Sequence, residues 1–407
     1  MKALILAAGE SSRMMPLTAN IPKPLLFVGG KPFLEHTILA LRDTGIKEIT
    51  LLVGYQKEKI KDYFKDGKQF GVKIRYAEQK ERLGTAHAVG TVKMKNNFLC
   101  INGDVVITKE LINGLMDFYR KHNGPVVTGV NVKHSKEFGV LKVKNSKLKD
   151  ITEKPKKPRK CLINAGVYVF TPDIFDFIRK TKKSKRGEYE ITSSIRMMMD
   201  KNDVRVFVSK NEWVDIGRAW DLLDANRIYL EGMRKKVLGK IEKNTTIHGP
   251  IMVGKGSIIR NGSYIEGPVF IGKNCDIGPN CYVRAYTSIA DNCRIGNAVE
   301  IKNSVVMQNT KIPHHSYVGD SIIGENCNLG SGTKTANLRL DEKNIFSFIK
   351  GKRIDTGRRK LGVVMGDNVK TGINSMLDVG TVIGENSFIG PGCFVKGWIK
   401  PSSMVCK

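Results

Sequence analysis

The N-terminal part of the chain alternates short apolar runs with helical patterns. Five consecutive apolar residues, Ala3–Ala7, predict a strand that is buried on both faces of a parallel sheet. Leu34, Ile38 and Leu41 then share one side of a predicted helix. Ile49–Val53 predicts the next buried strand. This alternation is typical of an α/β domain.

The alternation continues to about residue 230 and predicts a largely parallel sheet, whose ligands would gather at the carboxyl ends of the strands. Further strands are predicted at Phe98–Ile101, Val126–Val132, Ile163–Phe170 and Arg205–Val208. A helix over Ala219–Met233 is followed by a basic stretch. We therefore expect a domain boundary near residue 236, with one domain over 1–236 and a second over 237–407.

An internal repeat follows this boundary. Side chains that are mostly aliphatic recur every six residues at Ile247, Val253, Ile259, Ile265, Ile271, Ile277, Val283, Ile289, Ile295, Ile301 and Met307, and after an interruption at Met365, Thr371, Leu377, Ile383, Ile389 and Val395. Three six-residue edges per turn build a triangular parallel coil with stacked inward positions. Five cysteines four residues after an aliphatic position are expected to be buried fillers, namely Cys275, Cys281, Cys293, Cys327 and Cys393.

Composition narrows the class of protein. A chain of 407 residues is too long for a single core. The formal net charge of +29 raises nucleic-acid binding as a candidate, but the lysines are dispersed and no nucleic-acid-binding motif is present, so we expect no such partner. The cysteines form no C-x-x-C pair, and no apolar stretch approaches the roughly 20 residues of a membrane span. We expect a cytoplasmic enzyme without a membrane partner.

Candidate chemistry begins directly after the first strand. Gly9 allows a close backbone approach, and Ser11 and Ser12 supply hydrogen-bond donors. Arg13 and Lys23 add two cations within reach of this loop. Prolines on both sides of Lys23 fix φ and exclude a helix there, which holds the lysine on a stiff segment. Such a loop suits a triphosphate.

The run Ala3–Leu26 resembles the signature of the sugar-1-phosphate nucleotidylyltransferases, L-A-A-G-x-G-T-R-L-x-P-L-T-x-x-x-P-K. It departs from the signature at Ser11-Ser12, where the family more often has Gly-Thr, and at Met14-Met15. The spacing of the arginine, the prolines and the lysine is kept. This motif is therefore a much more specific indication of the family than a glycine loop alone would be.

The resemblance implies a reaction that needs no nucleophile from the protein. A sugar-1-phosphate oxygen attacks the α-phosphorus of a nucleoside triphosphate in line, and pyrophosphate leaves. Mg²⁺ together with Arg13 and Lys23 would neutralise the developing charge. Ala8 and Gly9 would contact the nucleotide.

A glutamine loop gives a candidate for base recognition. The amide of Gln79 can donate and accept at once, which matches a pyrimidine edge, and Gly84 can present its backbone to the same base. In the resembling enzymes, a glutamine five residues before a G-T-x-x-A run contacts uracil or thymine. That run is Gly84-Thr85 here, which implies UTP or dTTP as substrate. His87 could be a general base, but we favour a structural role for a lone histidine at a helix start.

Two aspartates are candidate metal ligands. Asp104 follows a predicted strand, where a carboxylate can serve a phosphate-bound Mg²⁺, although N-G-D can also be a simple turn. Asp215 lies in W-V-D-I-G-R among apolar neighbours, where an unpaired carboxylate would be costly, although it could be an ordinary loop residue. The resemblance implies that both bind Mg²⁺. It also implies sugar contacts in short motifs between them, at Gly139, Glu153 and Asn164, with Lys154 on the sugar phosphate.

The repeat resembles the left-handed hexapeptide acyltransferases, which usually trimerise and bind acetyl-coenzyme A along the coil. K-I-P-H-H-S-Y-V-G-D, Lys311–Asp320, is similar to a segment of the bifunctional enzymes that acetylate glucosamine-1-phosphate and then uridylylate the product. In these enzymes the histidine three residues before the tyrosine is the general base, which corresponds to His314. A histidine with a pKa of about 6.5 can accept the proton of an attacking amine.

Further positions match the same enzymes in order. Arg284 and Lys302 correspond to phosphate-binding cations, and Tyr317, Asn328 and Asn337 to sugar contacts. Residues 338–361 depart from the family as a longer basic insertion. It carries Lys343, Lys350, Lys352, Arg353, Arg358, Arg359 and Lys360. These could serve coenzyme A phosphates or loop closure, or they could be a solvated basic loop.

Together these features predict an α/β Rossmann-like nucleotidyltransferase domain followed by a left-handed parallel β-helix. The first domain would transfer a uridylyl or thymidylyl group to N-acetylglucosamine-1-phosphate or glucose-1-phosphate, and the second would acetylate an amino-sugar-1-phosphate. Alternatively, the coil serves only oligomerisation or regulation, as in ADP-glucose and GDP-mannose pyrophosphorylases. A non-catalytic regulatory or translation-factor subunit is a third possibility, against which the intact Arg13, Lys23, Asp104 and Asp215 count.

Overall fold

The chain divides into two compact units. The computed structural model describes residues 1–132, 135–155 and 160–406. Met1–Glu10 and Leu34–Asp215 form the sheet unit, and Ser11–Phe33 and Ile216–Lys407 form the coil unit. The motif Ala3–Leu26 is therefore divided between the two units, with the division between Glu10 and Ser11. The domain boundary expected near residue 236 stays a prediction.

The first 231 residues alternate strands and helices. Each of the six predicted strands is present. The elements are β1 (Lys2–Ala7), β2 (Phe27–Val28), β3 (Lys31–Pro32), α1 (Phe33–Asp43), β4 (Glu48–Val53), α2 (Lys57–Phe64), β5 (Lys73–Glu78), α3 (Thr85–Gly90), β6 (Phe98–Asn102), α4 (Lys109–His122), β7 (Val126–Val132), β8 (Gly139–Lys144), β9 (Lys147–Glu153), β10 (Cys161–Phe170), α5 (Ile174–Lys180), α6 (Ile191–Met199), β11 (Arg205–Val208) and α7 (Asp221–Glu231). Single 3₁₀ turns occur at Ser12–Met14, Lys23–Leu25 and Lys68–Phe70.

The sheet unit is built on a mixed sheet rather than on a largely parallel one. Its strand order among the described residues is β5-β4-β1-β6-β10-β7-β11-β9-β8. The pairs of β4 with β5, and of β1 with β4 and β6, are parallel. In contrast, β10 runs antiparallel to both β6 and β7. The prediction was wrong here because an apolar run reports burial on both faces and not the direction of the neighbouring strands.

One face of this sheet is covered by α3, α5 and α6. Its buried cluster includes Leu4 and Phe98 from the strands and Val89, Phe177 and Ile195 from the helices. The side chains Phe98 and Phe170 contact each other with ring centroids 5.9 Å apart. This core fixes the strand ends from which the candidate site residues project.

The coil unit contains three parallel sheets that form a left-handed β-helix. The strands of the first are Lys236–Val237, Ile251–Val253, Val269–Ile271, Thr287–Ile289, Val305–Val306, Ile322–Ile323, Val364–Met365, Val382–Ile383 and Trp398–Ile399. Those of the second are Lys240–Ile241, Ile258–Ile259, Asp276–Ile277, Arg294–Asn297, Lys311–His314, Asn328–Leu329, Lys370–Thr371, Phe388–Ile389 and Met404–Val405. Those of the third are Thr246–His248, Tyr264–Glu266, Tyr282–Val283, Glu300–Lys302, Tyr317–Gly319, Lys334–Thr335, Met376–Leu377 and Phe394–Val395.

The inward positions of the coil stack as the six-residue period predicts. Ile259 pairs with Ile277, and Ile277 with Ile295, so a turn takes 18 residues there. The interruption expected after Met307 is wrong, because the coil continues. The inward residues of this stretch are Val306, Ile312, Val318, Ile323, Leu329 and Thr335. Five-residue steps from Ile301 to Val306 and from Val318 to Ile323 shift the period, which hides the repeat from a strict count of six.

The true insertion lies between the strands Lys334–Thr335 and Val364–Met365 and carries a hairpin of Phe346–Ile349 and Lys352–Asp355. Lys311–Asp320 is thus part of the coil itself. Among the described helices, none combines the length and the apolar character that a membrane crossing requires.

The cysteines of the repeat are buried, as predicted, and they also act as hydrogen-bond donors. The thiols of Cys275, Cys293 and Cys327 donate to the carbonyls of Ala290, Met307 and Gly366 at 3.0, 3.2 and 3.2 Å. Ser257 and Thr310 make the same type of bond, to Gly272 and Gly324. These short side chains satisfy carbonyl groups that the coil removes from water.

Asn226 joins α7 to two other parts of the coil unit. Its side chain is fully buried. The Oδ1 atom accepts from the backbone N–H of Gly29 at 2.9 Å and from Ser288 Oγ at 2.6 Å, and Nδ2 donates to the carbonyl of Tyr286 at 2.7 Å. One amide therefore satisfies groups from the 11–33 segment and from the coil.

We predict that Asn226→Ala destabilises the protein. The change leaves a buried N–H, a carbonyl and a hydroxyl without their partner, and a buried unsatisfied group costs about 1–3 kcal/mol, so we expect a loss of roughly 2–5 kcal/mol. Differential scanning calorimetry would show a lower melting temperature. The control Asn113→Ala, at an exposed position of α4, should change stability by less than about 0.5 kcal/mol. Equal melting temperatures for both variants would contradict the prediction.

Candidate active sites

The carboxyl ends of β1, β4, β5 and β6 meet at one edge of the sheet. The backbone N–H of Gly103 donates to the carbonyl of Leu6 at 2.9 Å, and that of Gln79 to the carbonyl of Val53 at 2.9 Å. A Cβ on Gly103 would lie 2.5 Å from the Leu6 oxygen, so only glycine permits this approach. The loops that carry Ala8, Gln79 and Asp104 therefore begin at the same edge.

The loop from Gln79 to Thr85 is held by the segment before α6. Gly84 has φ +111°, and a Cβ there would lie 2.5 Å from the carbonyl oxygen of Tyr189. The hydroxyl of Thr85 accepts from the N–H of Ile191 at 3.0 Å. These contacts fix the loop on which the candidate base-recognition residue lies.

Gln79 contacts His87, which the sequence analysis did not foresee. The side chain of Gln79 is buried, and its Nε2 lies 3.2 Å from Nδ1 of His87. A neutral imidazole with Nδ1 unprotonated accepts this bond and leaves the Oε1 of Gln79 available as an acceptor. This contact offers a physical basis for the structural role that we favour for His87, because the imidazole can orient the amide of Gln79.

Asp104 and Asp215 lie on two backbone segments that are joined directly. Val105 forms an antiparallel bridge with Asp215, and the N–H of Val106 donates to the carbonyl of Val214 at 2.9 Å. The indole N–H of the nearby Trp213 donates to the carbonyl of Ala165 at 3.0 Å. Segments that follow different parts of the sheet thereby bring the backbones of Asp104 and Asp215 close together.

This donor set fits Mg²⁺. Within the described ranges, no group of three or more His, Cys, Asp and Glu side chains forms a complete metal cage. Mg²⁺ is usually held by one or two protein carboxylates plus substrate oxygens and water, which two aspartates beside a phosphate loop can supply.

The predicted sugar contacts gather on β8, β9 and β10. Gly139 pairs with Glu153, and a Cβ on Gly139 would lie 3.1 Å from Glu153 Oε2 and 3.6 Å from Asn164 Cβ. The side-chain amide of Asn164 donates to the hydroxyl of Tyr168 at 2.7 Å. Burial raises the pKa of Glu153, and the neighbouring carboxylate of Glu190 raises it further.

Arg186 and Glu190 are members of this cluster that the sequence analysis missed. Arg186 Nη1 lies 3.2 Å from Glu190 Oε1 and 3.9 Å from Glu153 Oε1. The charged run R-G-E-Y-E was the available signal, but such runs are common on solvated loops. Lys154 follows Glu153 with φ +41°, and its backbone N–H donates to the carbonyl of Phe138 at 3.1 Å.

Arg13 and Lys23 belong to the coil unit. Arg13 is exposed in a 3₁₀ turn, whereas Lys23 is 9% exposed and its Nζ donates to the carbonyl of Ile216 at 2.9 Å. The expectation that prolines exclude a helix at Lys23 holds only for an α-helix. A single 3₁₀ turn covers Lys23–Leu25, because the missing N–H of Pro24 is not required in a first turn.

In the coil, Lys302, Tyr317 and Asn337 surround Asp320. We call these four residues the Asp320 cluster. Lys302 Nζ lies 3.4 Å from Asp320 Oδ2, and Asn337 Nδ2 donates to the same oxygen at 2.6 Å and to Tyr317 Oη at 3.1 Å. Lys302 and Tyr317 lie on neighbouring strands of the third sheet. The structure thus brings together three of the predicted acetyl-transfer residues.

Other predicted residues of the coil lie outside the cluster. Among the described residues, His314, Asn328 and Lys343 have no hydrogen bond to it. His314 is exposed at the end of the strand Lys311–His314, and Asn328 is exposed on the next strand of the same sheet. The backbone N–H of Lys343 donates to Asp341 in the insertion at 3.3 Å.

Arg284 is held by carboxylates. Its guanidinium lies 3.0 Å from Glu300 and 3.9 Å from Glu266, and 5.3 Å from the ring centroid of Tyr282. The hydrogen bond that Arg284 donates to Glu300 is the main cause of the raised pKa of Arg284. A phosphate at Arg284 would therefore compete with two glutamates.

Two cavities share Leu338 in their lining, and Asn337 lines the smaller of the two. One, of about 640 Å³, is lined by Asp320 together with Asn303, Glu342, Arg358, Arg359 and Lys360. The other, of about 350 Å³, is lined by Tyr317 together with Lys334, Met376, Asp378 and Phe394. Within the insertion, Arg358 pairs with Asp224, Arg359 pairs with Glu342, and Arg353 lies over the ring of Phe346.

Comparison with known proteins identifies the family of this chain. The nucleotidyl transferase family matches residues 2–232, the GMPPB C-terminal domain family matches 265–378, and the hexapeptide repeat of succinyl-transferase matches 362–396. The bifunctional protein GlmU of Methanocaldococcus jannaschii is 43% identical over 410 residues, which cover 100% of this chain and 98% of that protein. The bifunctional sugar-1-phosphate nucleotidylyltransferase/acetyltransferase of Sulfurisphaera tokodaii is 42% identical, with 97% of each chain covered. The chain belongs to this bifunctional family.

As a member of the bifunctional nucleotidylyltransferase/acetyltransferase family, the protein is an enzyme with two transferase activities. The crystal structure of UDP-glucose pyrophosphorylase complexed with UDP-glucose shares its N-terminal fold, with 24% identity and a TM-score of 0.51 over 56% of this chain and 98% of that one. The predicted fold class and the bifunctional nature of the enzyme are thereby confirmed.

We predict that Gly84→Ala impairs nucleotidyl transfer selectively. A Cβ at this position meets the backbone of Tyr189, so the Gln79–Thr85 loop must move, and a displacement of about 1 Å near a reaction can cost about 10²-fold in rate. Acetyl transfer, measured on the same preparation, should be unchanged. Gly45→Ala is the matched control, because Gly45 has φ +82° with nothing within 4 Å. Equal nucleotidyl-transfer rates in the two variants would refute the prediction.

Proposed function

We propose that the sheet unit transfers a uridylyl or thymidylyl group from UTP or dTTP to a sugar-1-phosphate, with N-acetylglucosamine-1-phosphate or glucose-1-phosphate as acceptor. The observation that carries this proposal is the bridge between Val105 and Asp215, which joins the segments of Asp104 and Asp215. Ala8 and Gln79 begin their loops at the same sheet edge as Asp104. Paired carboxylates beside a phosphate loop suit metal-assisted phosphoryl chemistry.

The residues of the nucleotide site take complementary roles in this proposal. The amide of Gln79 pairs with the pyrimidine edge and is oriented by His87, while Gly84 and Thr85 set the course of the loop. The backbone at Ala8 and Gly9 receives the phosphates. Asp104 and Asp215 hold Mg²⁺, and bound Mg²⁺ supplies positive charge against the phosphate oxygens. The proposed role of Arg13 and Lys23 as phosphate-binding cations rests on the sequence motif.

The acceptor sugar is proposed to lie at Gly139, Glu153 and Asn164, with its phosphate near Lys154. A carboxylate can accept from two sugar hydroxyls, and an amide can bridge hydroxyl groups. The absence of a side chain on Gly139 leaves room beside Glu153. No protein nucleophile is needed, because the sugar phosphate itself attacks and pyrophosphate departs.

We predict that Asp104→Asn lowers nucleotidyl transfer by on the order of 10²–10³-fold, since it removes a charge that holds Mg²⁺ against the phosphates. Pyrophosphate release would be measured across a Mg²⁺ titration with UTP and dTTP. Asp117→Asn, an exposed change on α4, is the control and should behave like wild type. A wild-type rate for Asp104→Asn at low Mg²⁺ would rule out its assignment as a metal ligand.

For the coil unit, we propose acetyl transfer from acetyl-coenzyme A to an amino-sugar-1-phosphate, with glucosamine-1-phosphate as substrate. His314 accepts the proton that the amine loses as it attacks the thioester. Lys302 and Arg284 bind the phosphate, and Tyr317, Asn328 and Asn337 bind the sugar. The hydrogen bonds that connect Lys302, Tyr317 and Asn337 through Asp320, together with the cavity that Tyr317 and Asn337 line, support this arrangement.

The basic insertion is proposed to bind the phosphates of coenzyme A through Lys343 and Lys360. Arg358 and Arg359 already pair with carboxylates, so the lysines are better placed to receive an added anion. We also propose that the enzyme is a homotrimer or a multiple of it. Exposed apolar side chains pair on two faces of the coil, Met376 with Phe394 on the third sheet and Phe388 with Met404 on the second, and they support burial of these faces against other copies.

We predict that His314→Ala lowers acetyl transfer by about 10²–10⁴-fold, the usual contribution of general-base catalysis, and leaves nucleotidyl transfer unchanged. Thiol release and pyrophosphate release would be followed on one preparation. His315→Ala is the neighbouring control. If His315→Ala alone abolished acetylation, the register of the proposed base would be wrong. If wild type released no thiol with any amino-sugar-1-phosphate, the coil would have only an oligomerisation or regulatory role.

A further inference from the structure

Asp320 is a buried carboxylate at the centre of the acetyl-transfer residues. It is 4% exposed and accepts hydrogen bonds at both oxygens. Asn303 Nδ2 donates to Oδ1 at 2.7 Å, while Asn337 Nδ2 and Lys302 Nζ approach Oδ2 at 2.6 and 3.4 Å. A buried carboxylate is stable only where donors or cations replace its hydration, and here they come from two different parts of the coil unit.

The backbone around Asp320 is fitted to this cluster. Asp320 itself has φ +50°, and its N–H donates to the carbonyl of Lys302 at 2.9 Å. A Cβ on the preceding Gly319 would lie 2.5 Å from Tyr317 Oη and 2.8 Å from Asn337 Nδ2. Tyr317 and Asn337 therefore pack directly against Gly319, and this contact fixes their distance from the carboxylate.

We propose that Asp320 is a positioning residue for acetyl transfer: it holds Lys302 and Asn337, and through Asn337 the Tyr317 hydroxyl, in the arrangement that receives the amino-sugar-1-phosphate. This inference rests on the proposed acetyl-transfer function of the coil. Asp320 does not need to touch the substrate, because its two oxygens are already occupied by protein donors.

The hydrogen bonds within the cluster leave donors and acceptors of Asn337, Tyr317 and Lys302 available to a substrate. Both bonds of Asn337 to the cluster use Nδ2, so its Oδ1 is turned away and can accept from the substrate. The Tyr317 oxygen accepts from Asn337, which leaves its hydrogen free to donate. Lys302 uses one of three donors on Asp320 and keeps two for a phosphate.

Replacing the carboxylate of Asp320 by an amide of the same shape would turn one of its two acceptors into a donor. In Asp320→Asn, one side-chain oxygen becomes an NH₂ group, which faces the donors Asn303, Asn337 or Lys302. If the NH₂ group takes the Oδ2 position, it repels Asn337 and Lys302, so either Asn337 flips its amide or Lys302 leaves the cluster. If the NH₂ group takes the Oδ1 position, it repels Asn303, whose amide can flip instead. In both orientations the negative charge that attracts Lys302 is lost, while the shape of the side chain is kept.

The test compares Asp320→Asn with Asp367→Asn. Asp367 is 5% exposed in the same coil unit and accepts from the N–H of Glu325 and from Asn20, but it lines neither of the two cavities at Leu338. We expect Asp320→Asn to raise the KM for glucosamine-1-phosphate about 10–100-fold, the effect of losing a hydrogen bond to a charged group. The KM for acetyl-coenzyme A and the rate of nucleotidyl transfer should stay as in wild type.

A second comparison separates positioning from folding. Asp320→Glu keeps the charge and should recover part of the lost activity, and Asp320→Asn added to Lys302→Met should cost much less than it does alone, because the two residues act together. Melting temperatures of all variants would be recorded. If Asp320→Asn acetylated like wild type, or if its loss matched that of Asp367→Asn and followed the melting temperature, the positioning role would be overturned.

Calorimetric titration with glucosamine-1-phosphate distinguishes failure of this inference from failure of the proposed function. Weaker binding to Asp320→Asn than to wild type supports the positioning role even without turnover. Equal binding to both proteins overturns it and leaves acetyl transfer in place. A wild-type protein that neither binds nor acetylates this sugar would overturn the proposed acetyl transfer and, with it, the inference.

Discussion

At several buried polar groups of this protein, hydrogen-bond partners replace water, and much of its architecture depends on these bonds. In the coil, cysteine, serine and threonine side chains donate to backbone carbonyls that are removed from water. Asn226 meets the same need where α7 and the 11–33 segment lie on the coil. At Asp320 the requirement concentrates a lysine, two asparagines and a tyrosine around one carboxylate.

Close backbone approach is the second constraint on the sheet unit. Gly103 lies against the carbonyl of Leu6 and Gly54 against that of Ala8, at distances where a Cβ would collide. These contacts draw the strand ends together, so that short loops rather than long ones carry the candidate nucleotide residues. The bridge between Val105 and Asp215 adds the second carboxylate from a segment more than 100 residues later in the chain.

The two candidate sites use their charged groups differently. In the sheet unit, Asp104 and Asp215 are acidic groups suited to a cation, whereas in the coil unit Lys302 and Arg284 are cations already paired with Asp320 and Glu300. A phosphate that enters the coil site must compete with protein carboxylates, which favours a ligand that also makes several polar contacts. An amino-sugar-1-phosphate offers such contacts through its hydroxyl groups.

The sequence by itself predicted six strands of the sheet unit, the six-residue coil and the candidate motif residues, because burial patterns and close motif spacing are local properties. It did not reveal the antiparallel β10, the two five-residue steps that hide part of the coil, or the inclusion of residues 11–33 in the coil unit. It also missed the contact of His87 with Gln79 and the cluster around Asp320. Strand direction and side-chain pairing depend on which distant segments become neighbours, and only the tertiary structure decided that.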